Sequence, residues 1–285
     1  MNTFQFNYRP RAWLTAFALS AFVVGCGSGS DDPAAAPVAP VAPVADPVGA
    51  ACTGGEACVP LASAGNYTIL TQNGVTTTGA TAITGHVGST AAASSTTGFS
   101  ETLSADGTFA TSAQVIGGGR MYAIDYQPPT PAEMTQAITD AGAAFNDADN
   151  VKQVGVGNLD RGTAGNITGE EFAPGVYEWS AGGITVDAAG VITLTGTATD
   201  VWVFKIPGGI TMGSGSTVTL ANGALPQNVF WRTGDVVALE PTANLKGIVL
   251  AGSSVTLGDG ASVDGRLIAT TNVTLIANAV TRPAP

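Results

Sequence analysis

Charge is scarce in this 285-residue chain: Asp, Glu, Lys and Arg together make up 11%. The 10 Lys and Arg face 21 Asp and Glu, a net charge of −11. The basic footprint that a phosphate backbone requires is therefore missing, and nucleic acid is not an expected partner. Histidine occurs once, at His86, and cysteine three times. Such a small stock leaves little for metal clusters or a His-based triad, so no cofactor is expected. Disorder is disfavoured as well, because a 45% hydrophobic share with few charges supports a core. What the chain has in quantity is Gly, 38 residues, and Thr, 36.

Arg9 and Arg11 precede a small apolar run over 13–24, too short for a spanning helix and of the composition of a secretory signal. The run ends in Val23-Val24-Gly25-Cys26, which resembles the lipobox of bacterial lipoproteins, where the Cys is lipidated and becomes the first residue. Simple cleavage beside an incidental Cys is the alternative. Residues 1–25 are thus expected to be a signal peptide, 26–50 a Pro/Ala-rich linker and 51–285 the folded domain. Prolines recur every three residues from Pro37 to Pro43, a pattern that favours a semi-rigid polyproline II spacer. By the same lipoprotein resemblance, Gly27 after the lipidated Cys implies an exported protein anchored to the outer membrane or cell surface, with secretion the other possibility. Anchoring of this kind is stable when more than one acyl chain is attached. Cys52 and Cys58, in C-T-G-G-E-A-C, read as a small disulfide loop, since a metal site would need two further ligands that the neighbourhood lacks.

From about Gly175 the chain repeats itself. V-Y-E-W at Val176 is followed 26 residues later by W-V-F-K at Trp202, and after another 26 by N-V-F-W at Asn228. I-T-V at Ile184 matches I-T-M at Ile210, while G-I-V-L-A at Gly247 matches G-R-L-I-A at Gly265 with a period of 18. Three short strands per repeat, closed by Gly or Asn corners, are what a three-sided β-solenoid requires. An antiparallel sandwich would instead show longer strands and hairpin turns.

The three sides differ. On the first, both alternating sets are apolar: Val203 with Phe204, Val229 with Phe230 and Trp231, Ile248 with Val249 and Leu250, Leu267 with Ile268. Such strands must be covered outside as well as inside. The expected cover is a helix over 131–148, whose stripe is Met134, Ala137, Ile138, Ala141, Ala144 and Phe145. Residues 99–127 lack the repeat and are expected to cap an open end, where strand edges would otherwise be unpaired. The second side alternates cleanly, with Ile184, Val186, Ile210, Met212, Val237, Leu239, Val255, Leu257, Val273 and Leu275 inward. Thr185, Thr211, Ala238, Thr256 and Thr274 therefore face out, one above the other. The third side gives Thr193 and Thr219, then loses the pattern at Asn244 and Ser262.

Thr suits any exposed strand, being β-branched and tolerant of water. A merely solvated face usually carries Lys and Glu, however, and this column carries neither. Rigid methyl and hydroxyl groups at regular spacing, free of long charged chains, suit a surface that orders water as ice does.

The runs P-G-V-Y-E-W, D-V-W-V-F-K-I-P-G-G-I-T-M-G-S-G-S-T-V-T-L, N-G-A-L-P-Q-N-V-F-W, K-G-I-V-L-A-G-S-S-V-T-L and G-A-S-V-D-G-R-L-I-A resemble the microbial ice-binding proteins of the DUF3494 type. So do the closing V-T-R-P and the earlier N-Y-T-I-L-T-Q-N-G-V and I-T-G-H-V-G, so that the resemblance covers roughly 61–283. It implies an all-β fold: a discontinuous right-handed parallel β-helix of triangular cross-section with one long α-helix alongside. It also implies a non-enzymatic protein that adsorbs to ice through one flat face not covered by the helix. The expected site is the second-side column, Thr185, Thr211, Ala238, Thr256 and Thr274, extended by Thr76 and flanked by Ser254 and Asn272. The expected partner is the ice surface with its ordered water, and the chain is expected to act as a monomer. His86 stands where an acidic residue is common in the family, and exposed turn chemistry is its expected role.

Two rivals remain. Parallel β-helices also host polysaccharide-cleaving enzymes, which need paired carboxylates in a cleft. Here Glu170 and Glu171 are adjacent, Asp187 lies in a turn, and Asp200 is placed to anchor backbone. A cell-surface adhesin is the second, favoured by the anchor and spacer, and it combines with ice binding if a tethered protein attaches a cell to ice.

Overall fold

A computed structural model describes residues 59–150, 159–163 and 165–283. The signal, the linker, Cys26, Cys52 and Cys58 lie outside the described residues. Among the described residues the chain is mostly β with one long helix, and most of its strands fall into three parallel ladders, one a six-stranded sheet and two within a larger mixed sheet. Successive strands visit the ladders in turn: Gly175–Glu178, then Ile184–Val186, then Val191–Thr195, then back to the first at Trp202–Ile206. Among the described residues no helix is long and apolar enough to cross a membrane.

The first ladder stacks Gly175–Glu178, Trp202–Ile206, Val229–Thr233, 247–251, 265–269, Tyr67–Thr71, His86–Ser89 and Met121–Ala123. Its register departs from the sequence repeat by one residue. Val176 pairs with Val203, and Val203 with Phe230, an interval of 27 rather than 26. Corner loops of unequal length absorb the difference, because Ile184 still pairs with Ile210 and Ile192 with Val218. In the true register Tyr177, Phe204 and Trp231 stack inside, with ring centroids 5.3 and 4.2 Å apart. Such offset-stacked pairs add to what their burial contributes.

Val176, Val203, Phe230, Ile248, Leu250 and Ile268 point the other way and form a second core under the helix Thr130–Asn150. The helix is slightly longer than its sequence pattern implies, and it buries Met134, Ala137, Ala141, Ala144 and Ala148. Ile138 and Phe145 pack at the margin. Its small residues let it lie close to the strands, and each large aliphatic side chain covered contributes about 1.5–3 kcal/mol. Lys205 and Arg232 hold the C-terminal end: Lys205 Nζ donates to the Asp149 carbonyl at 2.7 Å, and Arg232 pairs with the Asp149 carboxylate at 3.3 Å. Cations suit the negative end of a helix dipole.

The third ladder runs from Glu171–Phe172 through Val191–Thr195, Thr217–Ala221, 244–246, 262–264, Ala279–Thr281 and Ala82–Thr84 to Val115–Ile116. Asn244–Ala251 and Ser262–Ala269 are continuous across the corner between the third and first ladders. Gly265 makes that corner possible, since a Cβ there would lie 1.7 Å from the Gly247 carbonyl oxygen. The loss of the Thr pattern at Asn244 and Ser262 has a structural counterpart: Asn244 Nδ2 donates to Ser262 Oγ at 2.7 Å across paired strands.

The N-terminal strands do not stack on the first repeat. Tyr67–Thr71 pairs with 267–269 and Gly74–Thr78 with Asn272–Ile276, so the beginning of the described chain extends the ladder end made by its C-terminal part. Within 99–127, Thr102–Leu103 and Ala110–Thr111 form an antiparallel hairpin, while Val115–Ile116 and Met121–Ala123 add one more rung to the third and first ladders. His86 is not an exposed turn residue. It begins the strand His86–Ser89, is half-buried, and its Nδ1 accepts the Arg120 N–H at 3.0 Å, because the segment 115–123 closes over it.

Candidate functional site

The second ladder is the six-stranded sheet Ile184–Val186, Ile210–Met212, Val237–Leu239, Val255–Leu257, Asn272–Ile276 and Gly74–Thr78, all parallel. Its inward residues, including Ile184, Met212, Val237, Leu257 and Val75, belong to the central core. Its outward residues pair in one line: Thr185 with Thr211, Thr211 with Ala238, Ala238 with Thr256, Thr256 with Thr274, and Thr274 with Thr76. None of the six strands contains an ionisable side chain. Thr185, Thr211, Thr256 and Thr76 are exposed, whereas Ala238 and Thr274 are partly covered. With neighbouring strands about 4.7–4.9 Å apart, the line repeats at that interval.

Gly209 shows how tightly one edge of this sheet is drawn, as a Cβ there would meet the Val236 carbonyl oxygen at 2.2 Å. Asn272, one residue before Val273 and paired with Gly74, lies at the same edge, and its amide reaches Thr274 Oγ1 at 3.4 Å. Ser254 is half-buried, and its carbonyl accepts the Val237 N–H at 3.0 Å. Both therefore flank the line rather than belong to it.

Two residues that join the line are absent from the sequence-based set. Thr97 bridges Thr76, and Asn166 bridges Thr185, each as a single-residue rung at opposite ends of the sheet. Neither belongs to a repeated strand, so no periodic signal marks them. The N-x-T pattern at Asn166 is the one local hint, because an Asn there can fold back on the backbone. It does, with Oδ1 accepting the Thr168 N–H at 2.8 Å.

The carboxylates weighed for catalysis do not converge. Glu170 pairs with Arg161, Glu171 accepts from Thr195 Oγ1 at 2.5 Å, and Asp200 accepts both the Thr197 N–H and its hydroxyl. Among the described residues no group of three or more His, Cys, Asp and Glu could hold a metal ion. The acids with shifted titration, Glu101, Asp106 and Asp140, lie outside the six strands. Burial pushes Glu101 up, while the Tyr126 hydroxyl donated to it at 3.0 Å pulls the other way. Burial also works to raise Asp140, but bonds from Ser63 and Gln136 outweigh it and hold the carboxyl below its ordinary value.

Residues 69–281 match the family model described as Ice-binding-like, three quarters of the chain. The chain belongs to this family. It is 41% identical over 198 residues to ice-binding protein K1-A of Typhula ishikariensis, covering 69% of this chain and 78% of that one. It is 35% identical to an ice-binding protein of Colwellia sp., over 80% of this chain and 85% of the other. Among solved structures, the DUF3494 domain of Shewanella frigidimarina ice-binding protein 1 superposes with a TM-score of 0.72 at 30% identity, covering 80% of this chain and 98% of that one. The Arctic yeast ice-binding protein LeIBP gives 0.70 at 34% identity, over 80% and 95%. Membership in the Ice-binding-like family accounts for the length of the match, which takes in all three ladders and the helix.

Proposed function

We propose that this protein binds ice through the bare second ladder, with Thr185, Thr211, Ala238, Thr256, Thr274 and Thr76 as the contact line and Ser254 and Asn272 beside it. The observation that carries this is the unbroken pairing of those outward residues on a sheet without a charged side chain, in a chain whose relatives are ice-binding proteins. Threonine methyl groups limit the ways neighbouring water can hydrogen-bond, and the hydroxyls fix its position. Held rigid by the ladder, they let surface water join a crystal without the entropic loss of ordering flexible side chains. Ice growth and recrystallisation are then inhibited by adsorption alone, with no covalent step.

The fold that presents this face is a discontinuous right-handed β-helix of triangular section, supported by the order in which the chain visits its ladders and by the superposition on solved ice-binding proteins. The domain acts as a monomer. Its tether is Cys26, lipidated in an outer-membrane lipoprotein, with 27–50 as the spacer, so that a cell carrying it attaches to ice. Loss of lipid labelling in Cys26→Ala, with release of the protein from membranes, is the expected outcome for the tether.

For the face itself, Thr211→Tyr and Thr256→Tyr should each weaken adsorption of a fluorescent fusion to a growing ice surface, with circular dichroism and melting unchanged. Parental adsorption in both variants would move the site to another face.

A further inference from the structure

We infer that the contact line does not stop at the last repeated strand: Thr97, in the segment that closes this end of the ladders, is its terminal ice-contacting residue. The inference rests on the reading that the second ladder faces ice, and extends it to a part of the chain with no repeat.

Thr97 occupies a true rung. Its N–H donates to the Val75 carbonyl at 2.8 Å, and its own carbonyl accepts the Thr77 N–H at 2.9 Å, the two bonds of a parallel pairing about Thr76. Paired residues of parallel strands point to the same side, and Thr97 Oγ1 lies 3.3 Å from Thr76 Oγ1. The Thr97 side chain is exposed. It carries the same methyl and hydroxyl as its neighbours, so the line it lengthens keeps its chemistry.

The rung is held from both sides. Before it, the 3-10 turn Ala93–Ser95 is fixed by the Ala93 N–H donated to Asp125 at 2.9 Å. The turn lies so close to the sheet that a Cβ on Gly74 would meet the Ser95 carbonyl oxygen at 2.2 Å. After it, Gly98 has φ of +87°, and a Cβ there would lie 1.9 Å from the Thr77 carbonyl oxygen. Only glycine lets the chain leave the sheet after one residue. Phe99 then enters the core, 2% exposed. A side chain fixed this way loses little freedom when it meets a surface, which is the property an ice contact needs.

The opposite end is different in kind. Asn166 makes the equivalent backbone rung against Thr185, with the Thr185 N–H donated to Gly165 and the Ile167 N–H to Thr185, both at 3.0 Å. Its side-chain oxygen is committed to the Thr168 N–H. At one end the Thr97 hydroxyl bonds within the line, to Thr76, and stands beside a methyl group as in the other threonines; at the other the Asn166 oxygen is turned out of the line to the Thr168 N–H and no methyl is present, so only the Thr97 end prolongs the contact.

The test uses the full chain with Thr97→Tyr, Thr97→Ala and Thr211→Tyr, and with Thr102→Tyr on the nearby hairpin as control. The readouts are recrystallisation inhibition and adsorption of a fluorescent fusion to ice, with melting measured for each variant. Thr97→Tyr should lower activity severalfold at an unchanged melting temperature, less than Thr211→Tyr does, while Thr102→Tyr matches the parent. Thr97→Ala removes only the methyl and hydroxyl, and should lower activity in the same direction even if the Tyr variant disturbs the loop. Parental activity in both Thr97 variants, with Thr211→Tyr impaired, overturns the role of Thr97 and leaves the face intact. Parental activity in Thr211→Tyr, or an inactive parent, overturns the face reading and this inference with it.

Discussion

The first and second ladders are made by the same turns of the same chain, yet one is covered and the other bare. On the first, the outward residues Val203, Phe230, Ile248 and Ile268 sit under the helix and are at most 5% exposed. On the second, the outward residues at the corresponding turns are Thr211, Ala238, Thr256 and Thr274. Each rung of the first ladder presents two outward residues, Val203 with Lys205, Phe230 with Arg232, Ile248 with Leu250 and Arg266 with Ile268, and the apolar ones seat the helix. Each three-residue strand of the second presents a single small one and stays open to water. The third ladder is also uncovered but carries Glu171, and Lys246 paired with Asp264 at 3.3 Å. Exposure alone therefore does not distinguish the candidate site. Absence of charge together with a single repeated side chain does.

The covered ladder should be the costlier one to damage. Phe230→Ala removes a ring that is 4% exposed beneath the helix, and a loss of about 3–5 kcal/mol is expected in denaturant unfolding. If stability fell by less than a large aliphatic truncation normally costs, the helix would not be fixed by this face. On the uncovered ladders the effect should move from stability to function. Thr219→Tyr, on the third ladder, is expected to change stability by no more than about 0.5 kcal/mol and to leave ice shaping at the parental level. Impaired ice shaping in that variant would mean that both bare faces touch ice, and would erase the contrast drawn from Glu171 and Lys246.

Acidity separates the two regions in another way. The second ladder contains no titrating group, so its affinity for ice should be flat with pH wherever the fold persists. Stability should not be flat. The Asp140 carboxyl, which joins Ser63 to the helix, is lowered in the fold. Its contribution is full above the ordinary aspartate range and is lost as pH falls through the lowered value. Glu101 is raised in the fold, so it works in the opposite sense, favouring the folded state as pH falls into the range just above its ordinary value. Melting curves of Asp140→Asn and Glu101→Gln should therefore lose opposite parts of the parental pH dependence, with ice adsorption at a fixed folded fraction unaltered.

How far the sequence reveals these features depends on phase. The second ladder is legible because its strands alternate, and alternation fixes which residues share a face. On the first ladder both faces are apolar, so a slip of one residue leaves no trace in the pattern, and the pairing of Val176 with Val203 instead of Trp202 is visible only in the register. The helix stripe is legible for the same reason as the second ladder, through its own period. That Thr76 extends the line is legible from the likeness of its strand to the later repeats, but that Gly74–Thr78 stacks on Asn272–Ile276, far away in the chain, rather than on the first repeat is encoded by no local pattern. Thr97 and Asn166 are single rungs inside irregular segments, and one residue has no period.

Ala238 is the one member of the proposed contact line without a hydroxyl, between Thr211 and Thr256. It is partly covered in a bare strand, and its immediate neighbours in the line are both threonines, so a β-branched residue suits the backbone there. Ala238→Thr should therefore fold with stability within about 0.5 kcal/mol of the parent. If the line acts as a continuous array, filling its gap should make adsorption stronger and lower the concentration needed to stop recrystallisation, by less than Thr211→Tyr raises it. A decrease in activity would carry a different lesson. It would mean that the small side chain at the centre leaves room for a water that both neighbouring hydroxyls hold, and that the bare ladder differs from the covered one in what it leaves open as well as in the groups it presents.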